Sequence, residues 1–291
     1  MFLSFFTDLF LEDIMLRALI AGIILGMLAP VIGSIVVIRR LSFIADTLGH
    51  FSLVGISISL FLSTMGISIF FEQPLYLGLL FSVVGGLLVE LFRRSYKNYK
   101  EISMVIVISL GAALSAMFFS LSKKTGSLYN YLFGSIITIT NFYVVLILIT
   151  AVLVFALFLI FGKQILSVSF EESNAKLLGV NVNMFQILFM IVLSIVVSML
   201  LESVGVLLIS SMMIIPVATA MKVGWSYRST TIIAIIFSEL SVFFGLWMSY
   251  SFNIPSGAAI VSFNVFLLLI VSFIRKMRQK QQPKTKEIET N

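Results

Sequence analysis

Val144-Val145-Leu146-Ile147-Leu148-Ile149-Thr150-Ala151-Val152-Leu153-Val154-Phe155-Ala156-Leu157-Phe158-Leu159-Ile160-Phe161 runs for 18 residues without a charge. A helix needs about 20 such residues, at about 1.5 Å per residue, to cross roughly 30 Å of hydrocarbon. A membrane-barrel strand would instead alternate apolar and polar over segments of about 10 residues, and this run does not alternate. It reads as a helix in lipid.

Outward from that run, apolar stretches bounded by charges and turn residues predict helices near 15–38, 46–65, 74–92, 101–121, 141–162, 184–203, 205–222, 229–250 and 256–274. The fold expected is therefore all-α, a polytopic transmembrane helical bundle of about nine spans. Composition agrees, with 60% hydrophobic and 11% charged residues against roughly half and a quarter in a soluble domain. No internal repeat stands out. The transmembrane domain is expected over 1–276, followed by a polar, unstructured tail over 277–291.

Nine crossings with a cytoplasmic C-terminus put the N-terminus outside, and the positive-inside rule tests that arrangement. Of 19 Lys and Arg residues, 16 fall inside: Arg39, Arg40, Arg93, Arg94, Lys97, Lys100, Lys163, Lys176, Lys222, Arg228 and six in the tail. Only Arg17, Lys123 and Lys124 fall outside. The net charge of +6 thus follows membrane orientation, with no basic face for nucleic acid. Met1–Asp13 has three carboxylates and no Lys or Arg, unlike a cleavable signal peptide, so the first apolar run is expected to stay in the mature protein. Gly126–Thr140 is too polar for a span and too apolar for an ordinary loop; a short helix or re-entrant piece packed on protein is expected, since irregular backbone cannot face lipid.

With no cysteine in the chain, any metal must be held by nitrogen and oxygen. Polar residues at membrane depth cost about 2.5–3.5 kcal/mol or more and are the natural functional candidates. Asp46 and His50, four residues apart, share one helix face and offer a carboxylate and an imidazole, common ligands of zinc and other divalent transition metals. Two such helices meeting on a two-fold axis would supply four ligands. The plainer alternative is that His50, the only histidine, hydrogen-bonds Asp46 or a carbonyl. Gly49, Ser52, Gly55, Ser57 and Ser59 beside the pair suit either close helix packing or a water-lined path. Glu202 and Glu239 are open between a transit or gating role and a structural one.

Ser169–Val180 is the longest polar stretch between spans. Ser169 with Glu172 fits a capping box and Gly179 a left-handed C-terminal cap, predicting a short helix suited to docking on a soluble motor or to lying at the headgroups. The chain has no G-x-x-x-x-G-K-[ST] phosphate loop, so it is expected not to be an enzyme, and any ATP hydrolysis would belong to a partner chain.

Arg39-Arg40-Leu41-Ser42-Phe43-Ile44-Ala45-Asp46-Thr47-Leu48-Gly49-His50 resembles the second-helix entry of the ABC-type zinc and manganese permease family, roughly R-R-x-S-x-x-x-D-x-L-x-H. Phe170–Val180, Gly205–Ala220 and Ile254–Val261 resemble the same family in the same order. The resemblance implies that Asp46 and His50 contact metal in the translocation path. It implies a coupling helix over about 169–180, in which Phe170, Glu171, Glu172, Ala175, Leu178 and Gly179 meet an ATPase. It further implies a second copy of the chain, a cytosolic ATP-binding subunit, an extracellular metal-binding delivery protein and a place in the bacterial cytoplasmic membrane. Zinc is the expected cargo, with no cofactor, because Asp46-Thr47-Leu48 and Leu132-Phe133-Gly134-Ser135 look more like the zinc members. Manganese or iron is the alternative substrate, and a proton-coupled secondary carrier using Asp46, Glu202 and Glu239 is the alternative mechanism. An intramembrane hydrolase lacks a second histidine or a nucleophile motif. Pro216 and Pro255 are expected to bend the helices that carry them, as fixed kinks or as hinges.

Overall fold

The computed structural model describes residues 12–66, 73–96, 99–123 and 125–281, which form eleven α-helices, two 3₁₀ turns and no strand. The helices are α1 (Asp13–Ile38), α2 (Ile44–Thr64), α3 (Pro74–Ser95), α4 (Lys100–Leu121), α5 (Thr125–Phe133), α6 (Asn141–Phe170), α7 (Glu172–Leu177), α8 (Val182–Val204), α9 (Ile209–Ala220), α10 (Tyr227–Phe252) and α11 (Ser256–Gln281). Eight of them are long and apolar enough to cross a membrane.

The ninth expected span, 205–222, is shorter than its apolar length suggests. Gly205 breaks the chain at φ +88°, a 3₁₀ turn follows at Val206–Leu208, and α9 has 12 residues, about 18 Å of helix. It needs no lipid-spanning length of its own, because Ile209, Met212, Met213 and Val217 are buried against α1, α10 and α11. The segment nevertheless connects the two ends of the molecule. Val204 and Gly205 lie against Gly257 and Gly134 at the head of α11, whereas Met221 lines a hollow with Val37 and Ile38 at the foot of α1. The foot is called here the arginine end, after Arg39 and Arg40.

Gly126–Thr140 forms α5 and a 3₁₀ turn at Ile136–Thr138, packed on protein as expected. Ser256 Oγ accepts the Ile136 N–H at 2.8 Å and pins the turn to α11. Pro216 lies inside α9, and so does Pro30 inside α1, where Ser34 Oγ donates to the Pro30 carbonyl at 2.8 Å. The long helix α11 extends to Gln281, so the expected tail begins as helix; 282–291 and the first eleven residues lie outside the described ones.

Two groups of helices make up the bundle. One is α2, α3 and α4 with α8; the other is α1, α9, α10 and α11, and α6 packs on α1 and α8. Their outward faces are apolar, with Leu159 88% exposed, while small hydroxyl residues face inward. With lipid outside and an apolar core within, apolar burial gives the helices little reason to associate, and close packing with interhelical hydrogen bonds takes over. Ser82 Oγ donates to the Ser194 carbonyl at 3.2 Å and Ser194 Oγ donates to that of Ser82 at 3.1 Å, tying α3 to α8. Backbones touch at Gly55, whose missing Cβ would fall 2.1 Å from the Leu77 carbonyl oxygen.

Candidate metal pathway

Arg39–Phe43 turns the chain from α1 into α2, with Arg40 in the left-handed region at φ +55° and the Ile44 N–H donating to the Leu41 carbonyl at 2.9 Å. This reversal starts α2 at Ile44, so Asp46 lies in its first turn and His50 one turn further on the same face. Both side chains are half-buried. Depth follows from a neighbour: a Cβ on Gly111, the midpoint of the spanning helix α4, would lie 3.2 Å from the His50 Cβ. His50 thus sits about halfway through the bundle.

Ser210 Oγ, at the start of α9, donates to Asp46 Oδ1 at 2.6 Å. The break at Gly205 places it there, because the 3₁₀ turn after the break packs Val206 over Gly49. The Nδ1 atom of His50 is buried with no hydrogen-bond partner. The plainer alternative, a histidine held by Asp46 or a carbonyl, is therefore not what Nδ1 shows, and a neutral imidazole with a free nitrogen beside a carboxylate is a donor set for a divalent cation. Among the described residues no group of three or more His, Asp or Glu could hold a metal ion. Ser52, Ser57 and Ser59 are buried, and Ser52 Oγ donates to Ser198 Oγ at 3.2 Å, which assigns these small residues to helix packing.

Glu202 and Glu239 stand apart from the pair. Glu202 is hydrogen-bonded by Tyr143 near the end of α8, and Glu239 Oε1 is buried without a partner against Gly26 of α1. Leu132–Ser135, read above as a zinc-like signature, packs against Val204 and Gly205.

The segment expected to couple to a motor divides into scaffold and surface. The predicted capping box does not form: Ser169 lies in the last turn of α6 and donates to the Ile165 carbonyl at 2.6 Å. Glu171 is the N-cap residue instead, its carboxylate accepting from Asn174 Nδ2 at 2.6 Å and Ser173 Oγ at 3.2 Å. Glu172 accepts from Gln186 Nε2 of α8 at 2.8 Å. Ala175 is fully buried with Val168 and Val182, and Gly179, at φ +79°, ends the helix as its spacing suggested, its N–H donating to the Lys176 carbonyl at 3.0 Å. Phe170, Leu177 and Leu178 project outward, the last two 86% and 76% exposed. Sequence reading missed Leu177 and Ser210. The first was signalled by its place beside Leu178 in a polar segment; the second lay in the quoted 205–220 stretch but had no spacing to link it to Asp46.

Helices of this length around a half-buried Asp and His, with an apolar knuckle projecting at one end, define a polytopic membrane transport subunit. The model of the ABC 3 transport family matches residues 12–275, and the chain belongs to that family. It is a multi-pass membrane permease of a bacterial ABC importer for metal. It is 30% identical to the manganese transport system membrane protein MntC of Listeria innocua, over 96% of this chain and 99% of that one. The high-affinity zinc uptake system membrane protein ZnuB of Buchnera aphidicola from Acyrthosiphon pisum is 32% identical, over 86% and 94%. Among solved structures, PsaBC from Streptococcus pneumoniae in complex with Fab superposes with a TM-score of 0.82 at 27% identity, covering 96% of this chain and 100% of that one.

Proposed function

We propose that this permease imports zinc by ATP-driven alternating access, with Asp46 and His50 of two copies forming a transient four-ligand site on the dimer axis. The observation that carries this reading is the pair itself: a carboxylate oriented by Ser210 and an imidazole with an unpartnered nitrogen, one helical turn apart at mid-bundle. A hydroxyl donor to a ligating carboxylate orients it, and losing such an outer partner costs about 10–100-fold in metal affinity. Ser210→Ala is therefore expected to weaken zinc binding about tenfold with the fold intact, measured by competition against a chelating dye.

The ion arrives from an extracellular delivery protein and leaves inward when a cytosolic ATPase closes and moves α7. Few ligands suit such a site, because a cargo held as firmly as structural zinc would not be released. In this arrangement α9 with its flanking turns completes a ninth crossing, supported by its path from the head of α11 to the foot of α1, so that the N-terminus is outside and the C-terminus inside. The arginine end is then cytoplasmic, in agreement with the charge distribution.

The motor docks on Phe170, Leu177 and Leu178, with Ala175 and Gly179 holding α7 in place. An apolar side chain this exposed in water is a contact surface awaiting a partner. Leu178→Asp is expected to abolish co-purification of the ATPase and metal-stimulated ATP hydrolysis without changing the melting temperature of the permease alone.

Zinc ahead of manganese or iron rests on an imidazole, no sulfur and a four-ligand count; manganese prefers more oxygen. Uptake of radioactive zinc and manganese into vesicles holding the reconstituted complex, with and without ATP and with and without a proton gradient, tests the reading. Zinc uptake that requires ATP and ignores the gradient is expected; gradient-driven uptake without ATP would establish the secondary carrier instead.

A further inference from the structure

A second polar site lies at the arginine end, where a cavity of about 690 Å³ opens between the α1–α2 turn, the end of α3, the start of α4 and the α6–α7 junction. Its walls include Arg39, Arg40 and Arg93. Arg93 is only 9% exposed; Nη1 meets Glu90 Oε2 at 3.3 Å, but Nε is buried without a partner. Arg39 makes no ion pair among the described residues. Its guanidinium lies 5.0 Å over the Phe189 ring and Nη2 is likewise buried and unpartnered. Burial first, and the Arg93 charge second, hold the Arg39 guanidinium below its ordinary proton affinity.

Two guanidinium groups gathered with donors unsatisfied are costly unless an anion joins them. Glu172 and Glu90 offset part of this charge, but neither reaches Arg39 as an ion pair: Glu90 is paired with Arg93 and Arg94, Glu172 accepts from Gln186, and Glu101 makes no ion pair with either pocket arginine. We propose that this pocket binds a phosphate-type oxyanion, through Arg39 and Arg93. The planar guanidinium fork matches a phosphate oxygen pair, which a lysine would not. Ile38, Ile102 and Val168 line the same space, so the headgroup phosphate of an anionic phospholipid fits with its glycerol against them, and free phosphate is the other source of the same chemistry. The site is separate from the metal pair; it adjoins Phe170, on which the motor is proposed to dock, and the naming of its leaflet as cytoplasmic rests on the orientation proposed above.

The test uses the purified full-length permease in a neutral detergent, without ATPase or metal, so that failure of the transport reading leaves it unaffected. Binding of short-chain phosphatidylglycerol, short-chain phosphatidylcholine and inorganic phosphate is measured by calorimetry for the parent, Arg39→Gln, Arg39→Lys and Arg93→Gln, with Lys222→Gln as a control outside the pocket. Saturable binding of phosphatidylglycerol over phosphatidylcholine, weakened about tenfold or more in Arg39→Gln and unchanged in Lys222→Gln, is the expected result. Arg39→Lys keeps the charge and loses the fork, and should show a smaller loss even where Arg93→Gln fails to fold. Binding of inorganic phosphate with the same Arg39 dependence supports the site with a free anion as ligand. Absence of binding, or binding equal in parent and Arg39→Gln, overturns it.

Discussion

His50→Ala and Asp46→Asn are each expected to lower ATP-driven zinc uptake by about a hundredfold, the upper end of what even an outer partner of a metal ligand costs. In the proposed paired site each chain would contribute one copy of each ligand, so a single substitution would remove two of its four ligands. The protein should still accumulate and melt normally, because neither side chain holds the bundle together. Asp46 has one interhelical hydrogen bond, to Ser210, and His50 Nδ1 has none. Interhelical bonds of this kind contribute about 0.6 kcal/mol on average in membrane bundles. Asp46→Asn also keeps the shape and the acceptor oxygen for Ser210 while removing the charge. Uptake and melting temperature measured on the same preparations separate the two effects; loss of uptake together with loss of the folded chain would assign the pair a structural role.

Gly205→Val is expected to destabilise the folded protein severely. Gly205 adopts φ +88° and ψ +151°, a conformation almost restricted to glycine and costing other residues about 1–3 kcal/mol. Space is denied as well: a Cβ there would lie 2.4 Å from the Leu132 carbonyl oxygen and 2.4 Å from the Phe133 carbonyl carbon. Forcing atoms into a packed site costs about 1–3 kcal/mol more. Since these contacts are backbone, no side chain can rotate away. Gly257 on α11 faces the same junction, its missing Cβ 2.3 Å from the Val204 carbonyl oxygen, so the effect reaches α5, α8, α9 and α11 together. A fall of about 10 °C or more in melting temperature, or failure to accumulate, is the expected outcome. Gly162→Ala in α6 is the contrast, with nothing within 4 Å of the added carbon; it should stabilise the helix by about 0.5–1 kcal/mol. Equal behaviour of the two variants would show that the junction at Gly205 is not what orders α9.

The spans were legible because lipid imposes length and polarity on every helix, and Val144–Phe161 lies within α6 where the run predicted it. The same rule was incomplete at 205–222, where hydropathy records burial but not that the helix within the segment is only 12 residues long. Only the backbone at Gly205 reveals that α9 is short and enclosed by other helices. Asp46 and His50 were readable as a pair because helical spacing alone puts them together. Ser210 was not, since it meets Asp46 across 164 residues of chain through a junction no local pattern encodes. The capping box at Ser169 failed for a local reason: α6 runs about two turns further than its apolar stretch, and inside a helix a serine hydroxyl turns back to the carbonyl four residues earlier. Gly179 succeeded because a positive φ leaves few other residues to choose from.

The most direct measurement of the proposed site is the number of zinc ions bound per chain in the purified complex, by elemental analysis after equilibration with buffered zinc. One ion per two chains, bound through nitrogen and oxygen by X-ray absorption and lost in both Asp46→Asn and His50→Ala, is the result predicted by a site shared across a dimer axis. One ion per chain, or stoichiometry unchanged in either variant, would contradict it.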